Sequence, residues 1–135
     1  MNLPIIEKIK LKISPASLFS YFKDLPYSFF LDSALSTNKL GRFSFLGIDP
    51  FLVFKSKKNN VELEWSEKKE ILSKNPFLVL KDLFKRFKID TDIDFPFPFI
   101  GGGVGYFSYD MKDFNERLPD RAIDDIGIPD CIFCL

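Results

Sequence analysis

Arg42-Phe43-Ser44-Phe45-Leu46-Gly47-Ile48-Asp49-Pro50-Phe51-Leu52-Val53-Phe54-Lys55-Ser56-Lys57-Lys58-Asn59-Asn60-Val61-Glu62-Leu63-Glu64-Trp65 decides the fold class. Arg42 to Gly47 alternates in polarity, the period-2 signature of a strand with two unlike faces. Asp49-Pro50 reads as a turn, Phe51 to Ser56 as the next strand, Lys57 to Asn60 as a second turn and Val61 to Trp65 as another strand. Parallel neighbours need a crossover of roughly a dozen residues, and these turns are far shorter. The middle of the chain is therefore an antiparallel meander.

Upstream, Tyr27 to Ala34 is a near-continuous apolar run that delivers Asp32 and Ser33 to its end, as a central strand would. The polar segment Ser36-Thr37-Asn38-Lys39 turns it back toward Arg42–Gly47, forming a hairpin. Ile9-Lys10-Leu11-Lys12-Ile13 alternates strictly and predicts a first strand. Ser14-Pro15 then reads as an N-cap followed by Pro at the first helical position, with Leu18, Phe19 and Phe22 on one face of a short helix.

Downstream, Asn75-Pro76 repeats the cap-then-Pro device, and Phe77, Leu80, Leu83, Phe84 and Phe87 follow the spacing of an amphipathic helix. Ile89 to Pro98 is an irregular, Pro-interrupted connector. Gly101-Gly102-Gly103-Val104-Gly105-Tyr106-Phe107-Ser108-Tyr109-Asp110 is a glycine-rich entry into a strand. A short helix over Met111–Arg117, an acidic loop and a final apolar strand follow. The pattern is an α+β domain: a largely antiparallel sheet of about six to eight strands with two or three helices packed on it.

A chain of 135 residues with 46% hydrophobic side chains is sized for one domain with one core, so 1–135 is expected to be a single domain. Phe accounts for 17 of the aromatic residues against 4 Tyr and 1 Trp, a composition that buries area without polar atoms needing partners. Lys plus Arg equals Asp plus Glu at 19 each, leaving no net field to attract nucleic acid or an anionic membrane. No basic start with an apolar signal core appears, and no apolar run approaches the ~20 residues that span a bilayer. The expected location is cytoplasmic.

Candidate chemistry is sparse. There is no His, which removes the usual general base near neutral pH and the usual transition-metal ligand. Cys131 and Cys134 are half of a zinc site at most, and their apolar setting reads as two reduced strand cysteines. The glycines precede a strand rather than a helix, so they read as points where a backbone or a large ring lies on the strand, not as a phosphate loop. Asp110, Asp113 and Glu116 read as a solvated helix face, and Asp120, Asp124, Asp125 and Asp130 as loop surface. Asp32, Ser33 and Arg42 form the more informative group, because the hairpin brings a carboxylate, a hydroxyl and a guanidinium to one edge. That set suits the ammonium and carboxylate of an amino acid. On the residues alone, the favoured reading is an internal Asp32–Arg42 salt bridge with Ser33 satisfying a turn.

Four ordered blocks carry a resemblance: Phe30-Leu31-Asp32-Ser33-Ala34; Gly41-Arg42-Phe43-Ser44-Phe45-Leu46-Gly47 with Asp49-Pro50; Pro98 to Asp110; and Glu116-Arg117-Leu118-Pro119 with Asp124-Asp125 and Pro129-Asp130. Together they resemble the N-terminal domain of component I of anthranilate synthase and aminodeoxychorismate (para-aminobenzoate) synthase. The resemblance implies one half of a larger β-sandwich-cored enzyme. Its C-terminal chorismate-binding domain would hold the Mg2+ and the catalytic residues, and a glutamine amidotransferase subunit would supply ammonia.

None of the catalytic motifs occurs in these residues, and the final strand stops at Leu135 without a polar cap. A noncatalytic front domain that self-associates through surfaces meant for the absent part is the expectation. The family's tryptophan site uses a strand that typically reads Leu-Leu-Glu-Ser, which maps an effector site onto Leu31, Asp32, Ser33, Arg42, Phe43 and Ser44. Asp32 in place of Glu speaks against tryptophan inhibition, and Leu31-Asp32-Ser33-Ala34 with Gly105-Tyr106-Phe107-Ser108-Tyr109-Asp110 more closely resembles the aminodeoxychorismate branch and folate biosynthesis, with anthranilate synthase and tryptophan feedback as the alternative.

Overall fold

The computed structural model describes residues 4–33, 41–89, 95–116, 119 and 123–135. The chain forms two compact units, Met1–Pro50 with Thr91–Gly101, and Phe51–Asp90 with Gly102–Leu135. All strand pairings in both are antiparallel.

In the first unit, helix α1 spans Pro15–Phe19. The Ser14 hydroxyl accepts the Ser17 N–H at 3.1 Å, so the cap-then-Pro reading holds. Strand β1, Phe29–Leu31, pairs with β2, Phe45–Gly47, in the register Phe29↔Gly47 and Leu31↔Phe45. Rings hold this unit together: Phe19 stacks on Phe30 at 5.1 Å, and Phe45 meets Phe99 edge-on at 5.7 Å. Gly47 carries no side chain because the Phe29 ring fills that space.

Two expectations change here. Ile9–Ile13 is not a strand; it is irregular, with Ile9 72% exposed. Alternation states which way side chains would point, but a strand also needs a partner for its hydrogen bonds, and 9–13 joins neither sheet. The strand expected over Tyr27–Ala34 is confined to Phe29–Leu31 among the described residues, since Tyr27 adopts φ 57° and breaks the extended run. The turn at 36–39 lies outside the described residues.

The second unit is a five-stranded sheet of order β5-β4-β3-β7-β6. Its strands are β3 Leu52–Lys57, β4 Asn60–Trp65, β5 Lys69–Ser73, β6 Val104–Phe107 and β7 Cys131–Cys134. Lys58 takes φ 49° in the tight β3–β4 turn. One sheet face supplies Leu52, Phe54, Val61, Leu63, Cys131 and Leu135 to the core. Helix α2, Pro76–Arg86, covers it with Leu80 and Leu83, and a 3-10 helix, Tyr109–Phe114, adds Met111. Asn75 caps α2, its side-chain oxygen accepting the Phe77 N–H at 2.9 Å.

The opposite face of β3, β4 and β5 carries an ion ladder: Lys55 lies 3.1 Å from Glu64, and Lys69 lies 2.9 Å from Glu62. The last strand, β7, inserts between β3 and β6, bringing residues far apart in sequence to the centre of the sheet. No helix among the described residues is long and apolar enough to cross a membrane.

Candidate functional site

The β1–β2 register decides the geometry of the hairpin edge. With Leu31 opposite Phe45, the chain beyond β1 runs beside the chain entering β2, so Asp32 meets Ser44 and Ser33 meets Phe43. The Ser44 hydroxyl donates to the Asp32 carboxylate at 2.7 Å, and the Ser33 hydroxyl donates to the Phe43 carbonyl at 2.7 Å. Arg42 lies over the Phe43 ring, 5.3 Å from its centroid, and no ion pair joins it to Asp32 among the described residues. Phe43 in turn stacks on Phe45 at 6.3 Å. Leu31, Asp32, Ser33 and Arg42 are exposed, while Phe43 and Ser44 are half-buried.

The structure therefore gathers all six residues at one edge. It replaces the Asp32–Arg42 salt bridge with a Ser44 hydrogen bond and a cation–π contact. Asp32 and Arg42 both stay exposed, so the edge presents a carboxylate and a guanidinium to solvent.

A second polar assembly lies in the other unit and was read from the sequence only as loop surface. Lys57, at the end of β3, places its ammonium 2.7 Å from Asp124, 3.0 Å from Asp130 and 2.9 Å from the Ile128 carbonyl. Asp130 is 4% exposed, and its other oxygen accepts the Lys58 N–H at 2.7 Å. Asp124 also accepts the Gly127 N–H at 2.9 Å. The hydrogen bond from Lys57, then that from Gly127, holds the Asp124 carboxyl below its ordinary value. Lys57 is raised by Asp124 and then Asp130, well above the usual lysine range.

Together these residues border a cleft of about 650 Å³. Asp124 and Asp125 are exposed as expected, Asp124 while bound to Lys57, whereas Asp130 is buried. Asp120 lies outside the described residues. The only sequence signal for the clamp is that Asp130 abuts the apolar run of β7; its partner Lys57 is set by the pairing of β7 with β3.

Asp110 and Asp113 are exposed, and Lys112 lies 3.6 and 3.2 Å from them. The helix that carries them is Tyr109–Phe114 and of the 3-10 type, so Glu116 falls beyond it rather than on a shared face. No group of three or more His, Cys, Asp and Glu is arranged to hold a metal ion among the described residues.

The glycines behave as read. A Cβ on Gly105 would collide with the Ile132 carbonyl and the Phe133 Cα, and one on Gly103 would meet the Phe84 ring at 2.9 Å. Cys131 and Cys134 are free; burial pushes the Cys131 thiol up to about 12 and raises Cys134 as well.

A scan against protein-family models finds no match. Curated proteins do match. Anthranilate synthase component 1 of Acetivibrio thermocellus is 36% identical over 121 residues, 89% of this chain and 24% of that protein. Aminodeoxychorismate synthase component 1 of Escherichia coli K12 is 30% identical over 112 residues, 83% of this chain and 25% of that protein. Anthranilate synthase component 1 of Thermus thermophilus is 36% identical over 110 residues, 80% of this chain and 22% of that protein.

The chain is homologous over most of its length to component 1 of anthranilate synthase and of aminodeoxychorismate synthase. It spans about a quarter of the length of these relatives. The antiparallel α+β architecture read from the sequence pattern is the one observed.

Proposed function

We propose that this chain is a noncatalytic domain of an aminodeoxychorismate synthase component 1, serving as scaffold and as an amino-acid effector edge. The Asp32–Ser44 hydrogen bond carries the reading. A carboxylate one methylene shorter than Glu reaches Ser44 across the hairpin with one oxygen and stays exposed at the edge. The effector edge consists of Leu31, Asp32, Ser33, Arg42, Phe43 and Ser44. In the whole protein, a chorismate-binding domain would hold Mg2+ and perform the amination, with ammonia from a glutamine amidotransferase subunit.

A second reading, anthranilate synthase component 1 with tryptophan as effector at the same edge, is favoured by the 36% identity to two anthranilate synthases against 30% to the E. coli aminodeoxychorismate synthase. Two measurements test the proposal. This chain given chorismate, ammonia and Mg2+ is expected to leave chorismate unchanged, and turnover would refute the noncatalytic role. The whole protein under the same conditions is expected to release aminodeoxychorismate; anthranilate and pyruvate would establish the second reading instead.

A further inference from the structure

We propose that this chain associates head to tail, the loop 123–128 of one copy seating in the apolar groove beside α2 of the next.

The loop presents apolar side chains that its own fold does not use. Ile123 is 87% exposed, Ile126 75% and Ile128 50%. Ile123, Ile126 and Ile128 line the mouth of the cleft beside Lys57, and the loop that carries them is fixed by the Lys57 clamp on Asp124 and the Ile128 carbonyl and by the Asp124–Gly127 turn. Much of the ordering cost of docking is thus met before contact. Asp124 and Asp125 put carboxylates among the isoleucines.

The groove has the complementary character. Phe77, Leu80, Phe84 and Phe107 line an apolar hollow of about 470 Å³, and Lys81 and Lys85 stand on its rim. Phe84 and Phe107 pack against Phe133 from below, at 5.9 and 5.0 Å, so the floor is fixed. Neither Lys81 nor Lys85 has an ion-pair partner among the described residues. Isoleucines flanked by carboxylates therefore match phenyl rings flanked by ammonium groups in both polarity and charge.

Loop and groove are different surfaces of one unit, and the proposed contact is the heterologous one, in which a pair of copies uses one loop and one groove. Each copy that uses its loop still offers a groove, and assembly continues past the dimer into rings or open chains.

Sedimentation of the 135-residue chain tests this, with Lys81→Glu/Lys85→Glu blocking the groove and Ile126→Asp blocking the loop; all three positions are exposed. The wild-type mass is expected to rise with concentration beyond that of a dimer, and to fall several-fold at high salt. Each variant alone is expected to stay monomeric. Their equimolar mixture is expected to form a dimer and nothing larger, because one intact loop then meets one intact groove.

A second pair, Lys85→Glu with Ile123→Asp, is expected to repeat the pattern, and circular dichroism of each variant establishes that it is folded. A monomeric wild type would overturn the proposal and leave the groove to another protein. Folded variants that assemble like wild type, or a mixture of folded variants that stays monomeric, would overturn it equally.

Discussion

Lys57 holds its ammonium 3.0 Å from one oxygen of the Asp130 carboxylate, while the other oxygen of Asp130 accepts the Lys58 N–H at 2.7 Å. Asp130 immediately precedes β7, so this carboxylate ties the entry of the central strand to the end of β3. Replacing it by Ala strands a partly buried backbone donor, at a cost of about 1–3 kcal/mol. Asp130→Ala is expected to melt roughly 5 °C lower by circular dichroism. Asp125→Ala, on the exposed part of the same loop, is expected to melt with the wild type; equal losses in the two variants would contradict the clamp.

The same clamp sets a pH dependence. Asp124 is depressed below its ordinary 3.8 by Lys57 and the Gly127 N–H, so its stabilisation is present above that value and is lost as pH falls through the lower folded-state value. Lys57 is raised, so its contribution is complete below 10.5 and is lost only in strong alkali. The amide proton of Gly127, followed by NMR, is expected to shift with a midpoint below 3.8. Asp124→Asn should abolish that transition, and a wild-type midpoint above 3.8 would contradict the assignment.

The elements legible in the sequence were those with a local cause. Asn75-Pro76 and Ser14-Pro15 carry their own caps, and the β3–β4 hairpin carries its turn and its alternation within fourteen consecutive residues, Leu52–Trp65. Strand β5 was missed: Lys69–Ser73 lies at the sheet edge with Ile71 63% exposed, so its pairing with β4 leaves little hydrophobic signal. The hairpin edge was found, but its bonding was not, because a shift of register changes every cross-strand partner. Leu31 opposite Phe45 gives Asp32 to Ser44 and leaves Arg42 to the Phe43 ring. The Lys57–Asp130 contact joins residues related only by the β3–β7 pairing, which no local pattern announces.

Close approach explains the glycines, and it ranks their substitutions. At Gly105 the obstacles to a Cβ are the Ile132 carbonyl and the Phe133 backbone, which cannot move without breaking the β6–β7 ladder. Gly105→Ala is expected to cost at least about 2 kcal/mol. At Gly103 the nearest obstacle is the Phe84 ring, whose side chain can rotate away, so Gly103→Ala is expected to cost less. Urea unfolding of the two variants measures the order, and a reversed ranking would show that β7 is not the rigid partner.

Spacing in a strand also governs the cysteines. Cys131 and Cys134 are three residues apart in β7, so their side chains leave on opposite faces of the sheet and cannot form a disulfide without dismantling it. Cys131 lies in the core opposite Ser56, and burial outweighs the hydroxyl beside it in pushing the thiol up to about 12. The thiolate is the reactive form, so at pH 8 almost none of Cys131 is available. The native chain treated with a thiol-specific disulfide reagent is expected to leave Cys131 unmodified and to label Cys134 slowly, whereas the denatured chain takes up label at both. Rapid modification of Cys131 in the native chain would mean that β7 opens readily, and the central position of that strand would then have to be given up.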